Sequence, residues 1–554
     1  MALSRRSLAL RLAASVGALL VSGCSQLAPA ESLAPTKPKL MVLLVVDGLP
    51  MRQITQVRDQ LAPDGFARFL DRGQWFSEAH YGHGHTVTAA GHAVMLTGAY
   101  PQRTGIISNE WRDPKTGEQV YCTQDPAYTY IDSPTPRLAG TSPRNLKVET
   151  LGDVLRRLDP EAKVIGISGK DRGAILPAGH KGTAYMYMAE TGRFASSTYY
   201  MAQHPAWVTA FNAGKPADAF FKKTWAPLLP EAAYARSVPD GQTWQVATGN
   251  GNRLPAVVGD QMDAPGPRFY GNLLASPFGD ELTLAFARAA IEAERLGQRG
   301  HTDILSVSLS SHDYVNHAMG PESRLSQDHL LHLDRHLQRF FEYLDRTIGR
   351  DAYVMALTAD HGFADTPEWA QSQGRQAGRL AAGPALASIN AALQQRFGVP
   401  KLARDFSASG LLLDDASIAS RGLPRADVER LAKEELLKLP GVLAVFDEQQ
   451  MRSGDADKTP YLAAMRKSWD PERAPGLQYV MQAGWFLSSR PGGSTHGSPH
   501  AYDTHVPLLF WGRGISAEGA RPERVEIADL APTLAGLLAL PAPAQAQGRN
   551  LQLR

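Results

Sequence analysis

The chain has 554 residues, more than one ordinary domain needs, so it can bury a large core and still carry insertions. Its 57 basic and 55 acidic residues leave a formal net charge of +2, which is too close to neutral to indicate a protein that binds nucleic acid or membranes through overall charge. The two cysteines, Cys24 and Cys122, cannot supply a disulfide framework for a domain of this size.

The N-terminal segment has the pattern of an export signal. Arg5, Arg6 and Arg11 give it a positive start, and the apolar stretch Leu12–Val21 follows. That stretch is shorter than the roughly 20 residues of a membrane-spanning helix. A Val-Ser-Gly sequence then leads into Cys24, an order similar to the lipobox of bacterial lipoproteins.

These features predict a signal peptide at 1–23 and a tether at 24–38, since the latter segment is rich in Ala, Pro and Ser without periodicity. The predicted location is the bacterial periplasm or the outer membrane, with a possible lipid anchor on Cys24. Two alternatives stay open: an ordinary cleaved signal with an incidental cysteine, and a twin-arginine signal at Arg5-Arg6.

Beyond the tether, short apolar runs predict buried strands. They lack clear alternation and are separated by helical stretches, as is typical of strands covered by helices on both faces. Ser326–Ile348 is one such stretch, with leucines and a phenylalanine at helical spacing. We predict a doubly wound, mostly parallel α/β sheet from the runs Leu40–Val46, Lys163–Ile167, Ile304–Leu309, Tyr353–Leu357 and Val506–Trp511.

Three of these runs end in residues that can bind a metal ion. Asp47 follows the first run, Asp313 and His317 follow the third, and Asp360-His361 follows the fourth. The carboxyl ends of strands in an open α/β sheet converge on one crevice, so these side chains can meet. Taken singly, each residue is explained as a strand-end turn or a helix cap. Their joint occurrence favours a site for Zn²⁺, which accepts carboxylate and imidazole ligands.

With those residues in place, the chain resembles the alkaline phosphatase superfamily and, within it, the phosphate-irrepressible alkaline phosphatases with a threonine nucleophile. The resemblance covers nearly all of the mature chain. It is carried by the segments Val45–Gly48, Gly91–Ala93, Leu96–Gly98, Ile107–Trp111, Lys170–Leu176, Ser197–Met201, Pro205–Trp207, Thr495–Pro499 and Asp503–Pro507.

The resemblance implies two Zn²⁺ ions and a set of ligands drawn from distant parts of the chain. The implied ligands are Asp313, His317 and His496 for one ion, and Asp47, Asp360, His361 and the Thr88 oxygen for the other. His505 is a rival to His496, but its expected role is structural, at the start of a strand.

The implied nucleophile is Thr88, because the resembled motif is a threonine followed after two residues by Gly-His. Thr86 is the competing candidate. If Ala89–Leu96 forms a helix, Thr88 lies at the positive end of its dipole, which favours an alkoxide and a phosphate.

Lys170 and Arg172 are predicted to project from an extended loop after the second strand. In the resembled family this pair and the Asn109 amide contact the transferred phosphoryl group, and they are associated with monoester preference. The alternative is an exposed basic loop paired with Asp171.

Other segments are predicted to be structural. His329, His332 and His336 are expected on the solvated face of a helix, and His83 and His85 in a loop. The aromatic residues around Tyr199–Trp225 are assigned to the packing of an insertion. The catalytic domain is predicted at 39–554, with insertions at about 185–275 and 370–485.

The sequence therefore predicts an exported, zinc-dependent phosphate monoester hydrolase that forms a phosphothreonine and acts on small phosphorylated metabolites. The nearest alternative is a phosphodiesterase or nucleotide pyrophosphatase on the same pair of metals. A zinc-binding lipoprotein without catalysis is the alternative from another class. A sulfatase is disfavoured, since the resembled sulfatases use a modified cysteine or serine where this chain has threonine.

Overall fold

The computed structural model describes residues 37–553. The predicted signal peptide, most of the predicted tether and Cys24 lie outside these residues. Among the helices of residues 37–553, none combines the length and the apolar character that crossing a membrane requires.

A nine-stranded sheet forms the centre of the molecule. Its strands, in chain order, are β1 (Leu40–Val46), β2 (Gln74–His80), β3 (Val164–Ser168), β4 (Thr183–Met188), β5 (Arg193–Ala195), β6 (Asp303–Leu309), β7 (Tyr353–Thr358), β8 (Leu508–Gly512) and β9 (Gly519–Glu526). They lie side by side in the order β9-β2-β8-β7-β1-β6-β3-β4-β5.

The middle of the sheet, from β7 through β1, β6 and β3 to β4, is parallel, whereas β8 and β5 are antiparallel to their neighbours β7 and β4. The predicted fold class is confirmed, and all five predicted runs are strands of this sheet. The sequence did not predict β2, β4, β5 and β9. These four lie toward the two edges of the sheet. Polar residues interrupt the apolar pattern of β2 and β9, whereas β4 is almost entirely buried.

Every residue of β1 is fully buried, so the sheet must be covered on both faces, and helices provide that cover. Helix α2 (Asp171–Ala178) contacts β3 and β4, and helix α3 (Pro277–Glu294) contacts β6 and β3. The main helices are α1 (Thr88–Thr97), α2 (Asp171–Ala178), α3 (Pro277–Glu294), α4 (Ser311–Met319) and α5 (Arg324–Leu344).

Shorter helices fill the connections between these elements. They are Met51–Gln56, Phe66–Arg72, Pro101–Thr104, Leu151–Leu158, Ala206–Ala213, Pro267–Leu273, Pro367–Ser372, Asp415–Ser420, Glu448–Ser453, Leu462–Ser468, Ala501–Thr504 and Leu530–Leu537.

The prediction of a solvated histidine face on α5 is wrong for two of its three histidines. His329 is fully buried and His336 nearly so. The polar side of α5 is covered by an irregular segment, from which the Trp225 Nε1–H donates to Asp328 at 2.6 Å. A helical periodicity records which face is apolar, but it cannot show that a distant segment packs over the polar face.

Residues 378–487 contain a second hydrophobic core of their own, built from buried residues between Leu380 and Met481. Three two-stranded sheets surround it: Gly378–Leu380 with Trp485–Leu487, Ala403–Ser407 with Gly410–Leu413, and Val442–Phe446 with Gln478–Met481. Its main helices are Ala382–Phe397 and Arg425–Leu437. The boundaries proposed from the sequence for the two insertions stay predictions.

Candidate active site

The carboxyl ends of three neighbouring strands bring together the acidic residues singled out from the sequence. Asp47 follows β1 directly, Asp313 lies in the first turn of α4 after β6, and Asp360 lies two residues beyond β7. Because β6 and β7 both pair with β1 in parallel, their ends meet at one edge. All three carboxylates are almost completely buried.

The first group, called here the inner cluster, consists of Asp47, Asp360 and His361. The His361 Nε2 atom lies 3.5 Å from Asp47 Oδ1 and 3.5 Å from Asp360 Oδ2. The Thr88 hydroxyl lies 3.4 Å from the same Nε2 atom. Every side chain of the inner cluster is 0% exposed.

The second group, called here the outer cluster, consists of Asp313, His317 and His496. Asp313 Oδ1 lies 3.4 Å from His317 Nε2 and 3.8 Å from His496 Nε2. The rings of His496 and His361 stack with centroids 3.3 Å apart, so the two clusters adjoin. The His317 side chain is 39% exposed, which opens the outer cluster to solvent.

The histidines of both clusters are held in the form that binds metal. A carbonyl oxygen can only accept a hydrogen bond, so each Nδ1 that contacts one carries the proton, and each Nε2 keeps its lone pair. Nδ1 donates to a backbone carbonyl in all three rings: His361 to Gly362 at 2.9 Å, His317 to Ser494 at 2.9 Å and His496 to Thr86 at 2.8 Å.

The carboxylates also fit a metal centre. Asp47 Oδ1, Asp313 Oδ1 and Asp360 Oδ2 are buried and accept no hydrogen bond from any residue of the described chain. A buried carboxylate oxygen without a partner carries a large desolvation penalty, which a bound cation removes. Carboxylate oxygens beside imidazole lone pairs are a donor set suited to Zn²⁺.

Ligand atoms of two triads each lie within 4.8 Å of one another: Asp313, His317 and His496, and Asp47, Asp313 and His361. Asp313 thus stands between the two clusters. The hydrogen bond that Asp360 Oδ1 accepts from Gly48 N at 3.0 Å leaves Oδ2 facing His361.

Burial and neighbouring charge perturb the protonation of these groups. Burial raises the pKa of Asp47 well above its usual range, and the nearby Asp360 raises it further. Burial also acts to raise the pKa of Asp313, but His317 and Lys170 outweigh it and hold that pKa well below the usual range. Burial lowers the pKa of His361 and His496, so both rings are neutral near pH 7, as metal ligands must be.

Lys170 joins the two clusters. Its buried Nζ lies 2.8 Å from Asp47 Oδ2 and 2.5 Å from Asp313 Oδ2. Burial lowers the pKa of this ammonium group, but Asp313 and Asp47 outweigh that effect and raise it, so Lys170 is positively charged.

The predicted extended loop for Lys170 and Arg172 is wrong. Lys170 is the N-cap residue of α2 and Arg172 lies in its first turn, because the helix begins at Asp171. Arg172 donates to the Tyr121 hydroxyl at 3.1 Å, and its Nε has no hydrogen-bond partner within residues 37–553. Both cations therefore stand at the positive end of a helix.

Thr88 begins α1, and Asn109 lies at the same helix end. The Ala89 backbone N–H donates to Asn109 Oδ1 at 2.8 Å. The hydroxyl of Thr86 donates to the Ser498 carbonyl at 2.8 Å and is thereby occupied. Of the two threonines proposed from the sequence, Thr88 is the one in contact with the inner cluster.

Two neighbours of Thr88 have positioning contacts that the sequence interpretation did not assign. His92 Nδ1 donates to the Thr88 carbonyl at 2.8 Å and lies 3.4 Å from Asp360 Oδ2. A Cβ on Gly91 would lie 2.1 Å from the Asp360 carbonyl oxygen, so only glycine lets α1 approach the end of β7 this closely. In the sequence, only the Gly91-His92 pair of the motif pointed to this region. It predicted Thr88 as the nucleophile but not the contacts of Gly91 and His92 with Asp360.

The remaining histidines lie outside the two clusters. His505 contacts the Ser77 carbonyl through Nε2 at 2.8 Å and stacks on His80, as expected for a structural residue just before β8. His83 and His85 occupy a loop, as predicted, and both are buried.

Comparison with known proteins identifies the family. The sequence profile of the type I phosphodiesterase / nucleotide pyrophosphatase family matches residues 41–503. The alkaline phosphatase PafA of Elizabethkingia meningoseptica is 33% identical over 97% of both chains. The chain belongs to the alkaline phosphatase superfamily. It is a hydrolase of this superfamily with the superfamily's mixed α/β sheet.

Two further comparisons extend this result. A protein of Myroides odoratus named as a calcium-transporting ATPase is 34% identical, over 92% of this chain and 93% of its own. The crystal structure of PafA superposes on this chain with a TM-score of 0.88 at 32% sequence identity. The match covers 94% of this chain and 99% of PafA. A second PafA structure carries substitutions at a threonine, an asparagine, a lysine and an arginine.

Proposed function

We propose that this protein is a zinc-dependent phosphate monoester hydrolase that works through a covalent phosphothreonine on Thr88. The observation that carries the proposal is the position of the Thr88 hydroxyl, 3.4 Å from His361 Nε2 and at the N-terminus of α1. One Zn²⁺ would be held by Asp313, His317 and His496, and a second by Asp47, Asp360, His361 and the Thr88 oxygen.

Bound zinc would lower the pKa of a nearby hydroxyl or water and stabilise negative charge on a departing oxygen. The residues of the chain position the reacting groups. The positive end of the α1 dipole lies at Thr88, where it would stabilise the negative charge of a phosphate. His92 positions the Thr88 backbone by donating a hydrogen bond to the Thr88 carbonyl. The burial of the inner cluster keeps bulk water away from the Thr88 hydroxyl.

Attack by Thr88 Oγ on phosphorus forms one P–O bond, while the hydroxyl proton passes to solvent. The bond from phosphorus to the alcohol oxygen breaks, and the departing oxygen takes up a proton from solvent. Water then cleaves the phosphothreonine, which releases inorganic phosphate and restores the hydroxyl. The Asn109 oxygen accepts the Ala89 N–H, so its amide N–H₂ stays free to donate to a phosphoryl oxygen.

The positive charge of Lys170 and Arg172 supports the choice of monoesters. A monoester dianion presents more unsubstituted oxygens than a diester, and paired cations near Thr88 favour that charge. The four residue types substituted in the PafA variant recur in this chain as Thr88, Asn109, Lys170 and Arg172, which also supports the proposal.

The second candidate, a phosphodiesterase or nucleotide pyrophosphatase, is favoured by the name of the matching family. Hydrolysis of p-nitrophenyl phosphate and of its bis ester by the zinc-loaded protein separates the two. We expect the monoester to have the higher kcat/KM. A strong preference for the diester would reject the monoester proposal, and hydrolysis of neither would favour a zinc-binding protein without catalysis.

We further propose that the natural substrates are small phosphorylated metabolites and that the protein is exported, with a possible lipid on Cys24. The basic start, the apolar stretch and Cys24 support export. Cell fractionation of the full chain and of Cys24→Ala tests export and the lipid anchor. We expect the parent protein in the membrane fraction and the variant outside that fraction. Recovery of both from the cytoplasm would contradict export.

A further inference from the structure

A cavity of about 140 Å³ lies against the outer cluster. His496 and Gly497 form its wall on the side of the outer cluster, and His85 from the loop before α1 also lines it. A second wall comes largely from residues 378–487, which contain the second hydrophobic core, and from the segment after them. This wall is aromatic and consists of Tyr479, Trp485, Phe486 and Tyr502.

The aromatic wall is held in place by contacts outside the cavity. The Trp485 ring packs against Gly378 and Gly441, where a Cβ would lie 2.6 and 2.3 Å from the indole atoms. The Tyr479 hydroxyl donates to the Ser407 carbonyl at 3.0 Å. The guanidinium of Arg379 lies 5.0 Å from the centre of the Phe486 ring. A fixed wall loses little entropy when a ligand binds.

Two residues of the lining, Trp485 and Asp503, each have one buried polar atom. Trp485 Nε1 is buried and Asp503 Oδ1 is buried, and neither has a hydrogen-bond partner in the described part of the chain. The other oxygen of Asp503 accepts from the Gly497 and Ser498 backbone N–H groups at 3.0 and 2.9 Å. A mostly apolar cavity with a few fixed polar atoms is typical of a small-molecule site.

We propose that this cavity is a subsite for the leaving group and that it takes the single aromatic ring of an aryl or arylmethyl phosphate monoester. This inference rests on the proposed function. In an in-line displacement the departing oxygen lies opposite Thr88, and Thr88 contacts the inner cluster, so the alcohol leaves on the side of the outer cluster. The cavity adjoins that side through His496.

The size of the cavity sets the size of the ring. An apolar cavity of about 150 Å³ holds one benzene molecule, so about 140 Å³ suits one six-membered ring. Aromatic walls favour a planar ring through offset and edge-to-face contacts. The subsite therefore selects by the shape of the alcohol, while both clusters act on the phosphate.

Benzyl and ethyl phosphate provide the test, because their alcohols have similar acidity and differ mainly in the ring. We expect zinc-loaded protein to have a kcat/KM for benzyl phosphate at least about tenfold above that for ethyl phosphate. Ala408→Trp, on an exposed turn that lines the cavity, should fill it and lower this ratio by about tenfold. Trp485→Ala should also lower the ratio, by removing the wall.

Ala517→Trp is the matched control, since Ala517 is also an exposed loop alanine but lies outside the cavity. It should leave the ratio and both activities unchanged. A ratio near one in the parent protein, or an unchanged ratio in correctly folded Ala408→Trp, would overturn the subsite and leave the phosphatase proposal standing. Failure of the parent to hydrolyse either monoester would overturn both.

Discussion

The inner and outer clusters use the same residue types but differ in their access to solvent. Asp360 and His361 are 0% exposed and lie beside Thr88, whereas His317 is 39% exposed and His496 borders an aromatic cavity. The difference matches two tasks: a nucleophile needs a fixed environment from which water is excluded, and a leaving group needs a path out. We infer that the inner cluster activates Thr88 and the outer cluster receives the departing alcohol.

Removal of a carboxylate of the inner cluster should lower kcat/KM more than the other substitutions described below. Asp360→Ala takes away a buried oxygen that faces His361, and water cannot replace it without opening the site. We expect kcat/KM for p-nitrophenyl phosphate to fall by about a thousandfold or more, with loss of bound zinc measured by elemental analysis. Asp365→Ala, a carboxylate paired with Arg52 outside the cluster, is the control and should keep its zinc. Full zinc and near-normal turnover in Asp360→Ala would reject the inner site.

Arg172→Ala should have the next largest effect, because it removes a positive charge from the start of α2, which packs against α1, without removing a metal ligand. We expect kcat/KM to fall by about a hundredfold for the monoester and by less than about tenfold for the bis ester. Zinc content should not change. Arg157→Ala, at an exposed arginine paired with Glu149, provides the comparison. Equal losses for both esters would remove the argument that Arg172 selects monoesters.

His317→Ala should have a smaller effect than Asp360→Ala, because solvent reaches the outer cluster. A water molecule can occupy the vacated position beside Asp313, so we expect a loss of about tenfold that added Zn²⁺ largely restores. Titration of activity against free Zn²⁺ measures this. A loss larger than that of Asp360→Ala, without rescue, would reverse the ranking of the two clusters.

Thr86→Ala should have the smallest effect. Its hydroxyl donates to the Ser498 carbonyl, so the change removes one hydrogen bond and lowers the free energy of unfolding by about 1 kcal/mol. Chemical denaturation measures that change, and kcat/KM should stay within about threefold of the parent value. Loss of turnover as severe as that of Asp360→Ala would make Thr86 the better nucleophile.

The sequence predicted the centre of the molecule better than its edges. The runs that became β1 and β7 are continuously apolar, and only Ser306 and Ser308 interrupt the run that became β6. An Asp follows each run within four residues, so both the strands and the meeting of their ends could be predicted. The edge strand β9 and its neighbour β2 mix polar and apolar residues and pair with partners far along the chain, which no local pattern encodes.

Within the candidate site, the sequence could predict which residues meet but not how neighbours position them. Because α2 begins at Asp171, Lys170 and Arg172 lie at a helix end and not in the predicted extended loop. The contact of His92 with Asp360 depends on the close approach of α1 to β7 at Gly91. The burial of His329 depends on Asp280 and Trp225, which approach from elsewhere in the chain. Such packing between distant segments leaves no periodic signal.

The chemical identity of the phosphorylated residue tests the role of Thr88 as the nucleophile most directly. Zinc-loaded protein is mixed with p-nitrophenyl phosphate, quenched in acid within one turnover and digested for mass spectrometry. We expect a phosphate on Thr88, its absence in Thr88→Ala, and loss of nearly all turnover in that variant with zinc retained. Phosphate on another residue, or rapid hydrolysis by Thr88→Ala, would contradict it.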